Sequence, residues 1–355
     1  MRYQALYDNA IALLQQLIAT PSVSRSEENT ALLVEQFLMQ QGVEKVHRHL
    51  NNVWAYNRHF DAGKPTILLN SHHDTVKPNS AYTRDPFAPT IEGDCLYGLG
   101  SNDAGASVVG LLSTFLHFYN AENIRYNICI AITGEEEVSG HNGIESILDK
   151  IGEIEFALVG EPTQMQMAIA ERGLMVLDCS ARGVAGHAAR NEGDNAIYNA
   201  MRDIEWFRTY KFPLESELFG AIKMSVTQID AGYQHNIVPA ECHFVVDVRV
   251  TDRYTNQQVL DHIKQSVKCE VKERSLRLKP SYIAPTHPIV QAGLALGRTT
   301  FGSPTSSDQM LLSVPSLKMG IGDSARSHSA DEYVKLSEIA EGIELYIEIL
   351  TKVIA

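Results

Sequence analysis

The chain has 355 residues, 44% of them apolar and 21% charged, the balance of a globular protein too long for one ordinary core and so expected to form two domains. Its net charge of −13, with no basic block to offset it, argues against nucleic acid and anionic membrane as partners and leans toward a cationic or zwitterionic substrate. Nothing in it reads as a signal peptide or membrane span. Five scattered cysteines (Cys95, Cys129, Cys179, Cys242 and Cys269) read as free thiols of a reducing compartment, so the expected location is cytoplasmic.

Apolar spacing through Leu6, Ala10, Leu13, Leu14 and Leu17 predicts a first helix to Ala19, stopped at Thr20-Pro21 because proline disfavours a helical residue before it. Ser24 and Glu27 have the spacing of a capping box for a second helix running to about Gln41. Strand-like pieces over 43–47 and 53–57 precede a buried strand over 65–70 that runs into Ser71-His72-His73-Asp74. On an extended segment residues two apart face one side, so Asp74 can accept a hydrogen bond from His72 and fix the tautomer of a metal-binding imidazole. His73 would then point the other way. A surface turn is the alternative.

The stretch Tyr97-Gly98-Leu99-Gly100-Ser101-Asn102-Asp103 leads into an apolar helix over 108–119. It is not a nucleotide loop. Position 103 carries Asp where the dinucleotide fingerprint needs Gly, no Gly-Lys-Ser/Thr is present, and an acid repels phosphate. Asp103 stands instead at a strand-to-helix junction, where its carboxylate could bridge two cations. The β-branched run Ile128-Cys129-Ile130-Ala131-Ile132-Thr133 reads as a buried parallel strand and stops at Gly134-Glu135-Glu136-Glu137. Adjacent acids raise one another's pKa unless a cation is present. A metal would resolve that conflict, with one Glu binding it and another free to move protons. A solvated turn opening a helix is the alternative. A helix over about 143–151 and a buried strand over 156–160 then deliver Glu161-Pro162-Thr163. Four successive strand ends thus carry potential ligands, where open α/β sheets bind theirs.

From about Arg172 the rhythm changes to strand 174–181, helix 195–210, strands 221–229 and 240–251, helix 255–268 and strand 270–278. That βαββαβ order is ferredoxin-like. The insertion carries Gly186-His187-Ala188, Asn236-Ile237-Val238-Pro239 and Asp247-Val248-Arg249. Arg249 could fork onto a substrate carboxylate or pair with Asp247 or Asp252. The chain returns through 288–301, a loop over 302–308 and Ser327-His328-Ser329-Ala330-Asp331-Glu332-Tyr333 to an amphipathic helix over 336–353. The expected architecture is α/β, a mostly parallel sheet flanked by helices over 1–171 and 283–355, with an α+β domain inserted over 172–282.

Together these motifs resemble the co-catalytic zinc amidohydrolases that include acetylornithine deacetylase, succinyl-diaminopimelate desuccinylase, carboxypeptidase G and aminoacylase. The resemblance spans nearly the whole chain, with five motifs in order. It implies a zinc exopeptidase-like catalytic domain, an inserted lid and dimerisation domain, a homodimer, and two divalent ions, zinc with cobalt or manganese as substitutes. It makes His72 and Glu161 ligands of one ion, Glu137 and His328 ligands of the other, and Asp103 the carboxylate they share, followed by a cis peptide to Ala104. Asp74 becomes the orienting partner of His72 and Glu136 the general base for attack of water on an amide. Aligned one residue earlier, base and ligand would be Glu135 and Glu136. His187 is similar to a residue that reaches across from the partner subunit to stabilise the oxyanion, Arg249 to one that holds the substrate α-carboxylate, and Asn236 lies in a segment like the substrate loop. The lysine found near the shared Asp in many relatives is absent here, where Ala104-Gly105-Ala106 follows. The expected activity is hydrolysis of an N-acyl-L-amino acid. The Glu-Glu, Glu-Pro-Thr and Ala-Asp-Glu-Tyr contexts look most like the acetylornithine deacetylase branch, acting on N-acetyl- or N-succinyl-L-ornithine in arginine biosynthesis. Succinyl-diaminopimelate desuccinylase, an aminoacylase or a dipeptidase is the alternative within the family, and a catalytically silent metal-binding protein the alternative outside enzymes.

Overall fold

Thr66–His72 is buried along its whole length and forms the centre of a nine-stranded sheet. In this computed structural model, which describes residues 3–190 and 192–355, it pairs in parallel with Asn127–Thr133 on one side and Phe156–Val159 on the other. Ser316–Lys318 extends the parallel core beyond Phe156–Val159. All four strands are buried end to end, which is why they read as continuous apolar runs rather than alternating ones. Being parallel, they finish at one edge of the sheet. Antiparallel strands flank them, with Asn52–Tyr56 and Val46–His49 on one side and Met167–Glu171 on the other.

The helix Ala106–Phe118 is apolar on almost every face, and it is buried accordingly against the sheet and against the helices Gln4–Ala19 and Leu336–Ile354. The last of these turns Ile339, Ile343, Tyr346, Ile347 and Leu350 inward, the spacing of an amphipathic helix. Among the described residues no helix is long and apolar enough to cross a membrane.

Three local expectations are corrected. The second helix spans Glu28–Gln40 without a side-chain cap, because Ser24 and Glu27 bond elsewhere. The helix over 143–151 is only a 3-10 turn, Ile144–Ser146, and one α turn, Leu148–Ile151, stopped by Gly152 at φ 81°. The strand before Asp103 is not in the main sheet. Cys95–Tyr97 pairs with Thr90–Glu92 and Tyr333–Lys335 in a separate antiparallel sheet, so three strand ends carry ligand-type residues and a turn carries the fourth.

The chain divides into two units, the first of Met1–Ile169, Tyr282–Phe301 and Ser307–Ala355, the second of Ala170–Ser281 and Gly302–Ser306. The second holds an antiparallel sheet in the order Lys223–Ala231, Glu241–Val250, Gly173–Arg182, Glu270–Glu273. The last strand is shorter than expected, ending at Glu273. Alternate residues of the two central strands, among them Met175, Leu177, Phe244 and Val246, pack with Phe207, Leu260 and Ile263 of the helices Ala196–Thr209 and Asn256–Ser266. A capping box between Thr255 and Gln258 opens the second helix. All five cysteines are free thiols.

Candidate metal centre

The end of Thr66–His72 delivers a histidine that is 1% exposed. Its Nδ1 donates to the Asp74 backbone carbonyl at 3.0 Å, which leaves Nε2 as the nitrogen free to meet either a proton or a cation. That Nε2 is buried with no hydrogen-bond partner. It faces Asp103 Oδ1 at 3.4 Å, Glu161 Oε1 at 3.5 Å and Glu136 Oε2 at 3.9 Å. A ring nitrogen buried among carboxylate oxygens is a place where a cation could be held. His73 turns away as expected, with Nε2 donating to the Asn51 carbonyl at 2.8 Å and Nδ1 2.8 Å from Thr30 Oγ1.

Asp103 presents its other oxygen, Oδ2, to His328 Nε2 at 3.6 Å, and the same Nε2 lies 2.9 Å from Glu137 Oε2. Its bond to Ala104 is cis. His72, Asp103 and Glu137 form one group whose ligand atoms could hold an ion, and His72, Glu136 and Glu161 form another. The turn after Asn127–Thr133 points its three glutamates in different directions. Glu135, at φ 58°, tucks its carboxylate onto Asn142 Nδ2 at 2.9 Å. Glu136 and Glu137 face the histidines.

The charges are unbalanced in a way a cation would correct. Burial pushes Glu136 well above the usual carboxylate range and Glu161 up to about 8. Burial pulls His72 down, but Glu161, Asp103, Asp74 and Glu136 outweigh it and hold the imidazole well above its ordinary value. The Glu137 carboxylate raises His328 to about 9. A divalent ion does what these shared protons do, without neutralising the acids.

Asp74 keeps its place beside His72 and gains further partners. Its carboxylate stands 3.4 Å from His72 Nδ1, farther than its own backbone carbonyl. Its shorter bonds come from the Ser24 hydroxyl at 2.7 Å and the backbone N–H groups of Glu136 and Glu137 at 3.0 and 3.2 Å. His187, Asn236 and Arg249 belong to the second unit rather than to the unit that carries the acid cluster. His187 is exposed and pairs with Ile237 in a two-residue ladder, its Nδ1 accepting from the Ala189 N–H at 3.1 Å. The Asn236 carbonyl accepts from Ala188 N–H at 3.0 Å. Arg249 forks onto Asp247, two residues away on the same strand face, at 2.8 and 3.1 Å.

Three buried acids beside this cluster escaped the motif reading. Glu27 accepts from the backbone N–H groups of Arg25 and Glu135 and from Asn51 Nδ2. Asp308, raised to about 6 by burial, accepts from the Thr133 hydroxyl at 2.8 Å. Glu332 accepts from backbone N–H groups around Asp103. Glu332 alone had a visible signal, its place in the Asp-Glu-Tyr context after His328.

The family described as peptidase family M20/M25/M40 matches residues 68–352. A succinyl-diaminopimelate desuccinylase of Cereibacter sphaeroides is 26% identical over 372 residues, covering 96% of this chain and 97% of that protein. One from Gluconobacter oxydans is 26% identical over 286 residues, covering 76% of this chain and 75% of its own. Among solved structures, aminopeptidase PepT from Bacillus cereus aligns with a TM-score of 0.76 at 18% identity, covering 98% of each chain. A dinuclear metal binding peptidase from Bacillus subtilis aligns with a TM-score of 0.74 at 16% identity, covering 99% of each. At such identities the structural likenesses speak for the fold.

Proposed function

The chain belongs to peptidase family M20/M25/M40, a family of hydrolases, and from that premise we propose that it cleaves the amide bond of an N-acyl-L-amino acid at a dinuclear metal centre. The observation that carries this reading is the Asp103 carboxylate, whose two oxygens face two different histidines, His72 and His328. His72 and Glu161 would hold one ion, Glu137 and His328 the other, and Asp103 both. The nitrogen and oxygen donors suit zinc, with cobalt or manganese as substitutes. Such ions supply Lewis acidity and lower the pKa of water toward neutrality. Glu136 is the general base: its Oε2 takes the proton of the attacking water and returns it to the departing amine. Asp74 holds the backbone of Glu136 and Glu137 still while that happens. His187 would donate to the developing oxyanion, Arg249 would exchange Asp247 for the substrate carboxylate, and Asn236 would line the substrate loop. We assign the second unit the part of lid and homodimer contact, and place the protein in the cytoplasm, in keeping with its free thiols.

For the substrate, the motif contexts favour N-acetyl- or N-succinyl-L-ornithine and a place in arginine biosynthesis. The names of the curated relatives favour N-succinyl-diaminopimelate as the second reading. Amine release by the zinc-loaded protein from these three compounds, N-acetyl-citrulline and a few dipeptides decides between them. One acyl-ornithine preferred sharply over the rest supports the first reading, and succinyl-diaminopimelate preferred supports the second. Turnover that survives a chelator would overturn the metal mechanism.

A further inference from the structure

Four residues beyond His328 stands Glu332, a carboxylate 1% exposed. Its Oε1 accepts from the backbone N–H groups of Asn102 at 2.8 Å and Asp103 at 2.9 Å, and its Oε2 from Gly100 N–H at 3.2 Å. Its backbone carbonyl accepts from Gly98 N–H at 2.9 Å. One buried carboxyl group thus collects three backbone donors, from Gly100, Asn102 and Asp103, of the turn that presents Asp103.

Asn102 also ties that turn to the Asp323 backbone at 3.0 and 2.9 Å, and Ser327 meets the Asp103 carboxylate, but the Asp103 N–H itself meets Glu332. The segment is a single π-helical turn, Ser101–Gly105, entered through Gly100 at φ 75°, with Ser101 N–H bonded to Gly98, Gly105 N–H to Gly100 and Ala106 N–H to Ser101. Asp103 must aim its two oxygens in two directions, at His72 and at His328. A small rotation of the turn would spoil both alignments together. Glu332 and His328 share one short stretch of chain, so the carboxylate also sets the Asp103 turn against the loop that carries His328.

We propose that Glu332 is a positioning residue of the metal centre, fixing Asp103 as the ligand common to two ions, so that losing it weakens the binding of the second ion. This rests on the dinuclear reading above. Glu332 meets backbone N–H groups, so its contribution runs through the placement of Asp103. Glutamine in its place keeps one carbonyl oxygen for Asn102 and Asp103 but sets an NH2 against the Gly100 N–H. Alanine removes all three acceptors.

The test is zinc titration of metal-free protein by calorimetry, with bound zinc counted after gel filtration and the melting midpoint of each metal-free variant recorded. Wild type is expected to hold two ions. Outer-shell partners of metal ligands are commonly worth 10–100-fold in affinity, and E332A is expected to lose about that much for the second ion. E332Q, isosteric and folded, should lose roughly three- to tenfold. A merely structural role would lower the metal-free melting midpoint and leave the second affinity unchanged. E332Q with wild-type affinity for both ions overturns the proposal while the dinuclear reading stands. Wild type holding fewer than two ions sinks both, and that failure shows in wild type itself.

Discussion

Asp74→Asn separates two parts the same carboxylate could play. Asp74 is fully buried. Its Oδ1 serves Glu136 N–H at 3.0 Å and stands 3.4 Å from His72 Nδ1, while its Oδ2 serves the Ser24 hydroxyl at 2.7 Å and Glu137 N–H at 3.2 Å. Asparagine has the same shape and one acceptor fewer. The Ser24 hydroxyl can turn to accept, so the new NH2 settles at the Oδ2 position and only Glu137 N–H is orphaned. A hydrogen bond to a charged group is worth about 1.5–3 kcal/mol. Felt entirely in the transition state, at about 1.4 kcal/mol per decade, that is roughly a 10- to 150-fold fall in kcat/KM. His72 keeps its bond to the Asp74 carbonyl, so both ions should remain at saturating zinc. Steady-state kinetics on the preferred substrate, with zinc content measured in parallel, is the assay. A kcat/KM near wild type would refute the clamp. Loss of zinc together with activity would return Asp74 to the part of orienting His72.

The glutamate register can be read from two variants. Glu136→Gln should lower kcat by about 10²–10⁴ with zinc retained, whereas Glu135→Gln, which keeps an acceptor for Asn142 at 2.9 Å, should change it no more than a few-fold; the reverse order would move the base to Glu135. Tyr346, fully buried, donates its hydroxyl to the Met319 carbonyl at 2.7 Å. Tyr346→Phe should cost about 1–2 kcal/mol and lower the melting midpoint by roughly 2–8 °C, followed by circular dichroism; no shift would mean that the carbonyl finds another donor. Chelation should lower the midpoint of wild type, since an ion at 100 times its dissociation constant adds about 2.7 kcal/mol, and it should not destabilise a variant lacking His72 and Glu161 to the same degree.

Much of this arrangement could be read from the residues because parallel strands are buried on both faces. Ile67–Leu69, Ile128–Ile132 and Phe156–Val159 are apolar runs whose ends fall at one edge, so the polar residues that follow each run fall together. What stayed hidden was the support beneath those ends. Ser24 and Glu27 have capping-box spacing, yet Ser24 bonds Asp74, and Glu27 bonds Glu135 N–H and Asn51. Spacing reports only local partners, and here the competing partners come from strand ends far along the chain. Arg249 shows the opposite limit. Its two-residue separation from Asp247 was visible, but only the fold decides whether such neighbours pair, and here they do.

The supporting groups have a common chemistry. Glu27, Asp74 and Glu332 are buried acids that accept backbone N–H groups of the turns bearing Glu136, Glu137 and Asp103. A hydroxyl or amide could fill one such place, but a carboxylate accepts several donors at once and binds each more strongly. At Glu332, which burial and the Asp103 carboxylate raise to about 7, the negative charge works against the metal-free fold and in favour of a bound cation. There the stiffness of the Asp103 turn and the affinity for metal have one source. Neutralising Glu332 relieves that repulsion and loosens the turn it holds, so stability without metal and geometry with it should move in opposite directions on that substitution.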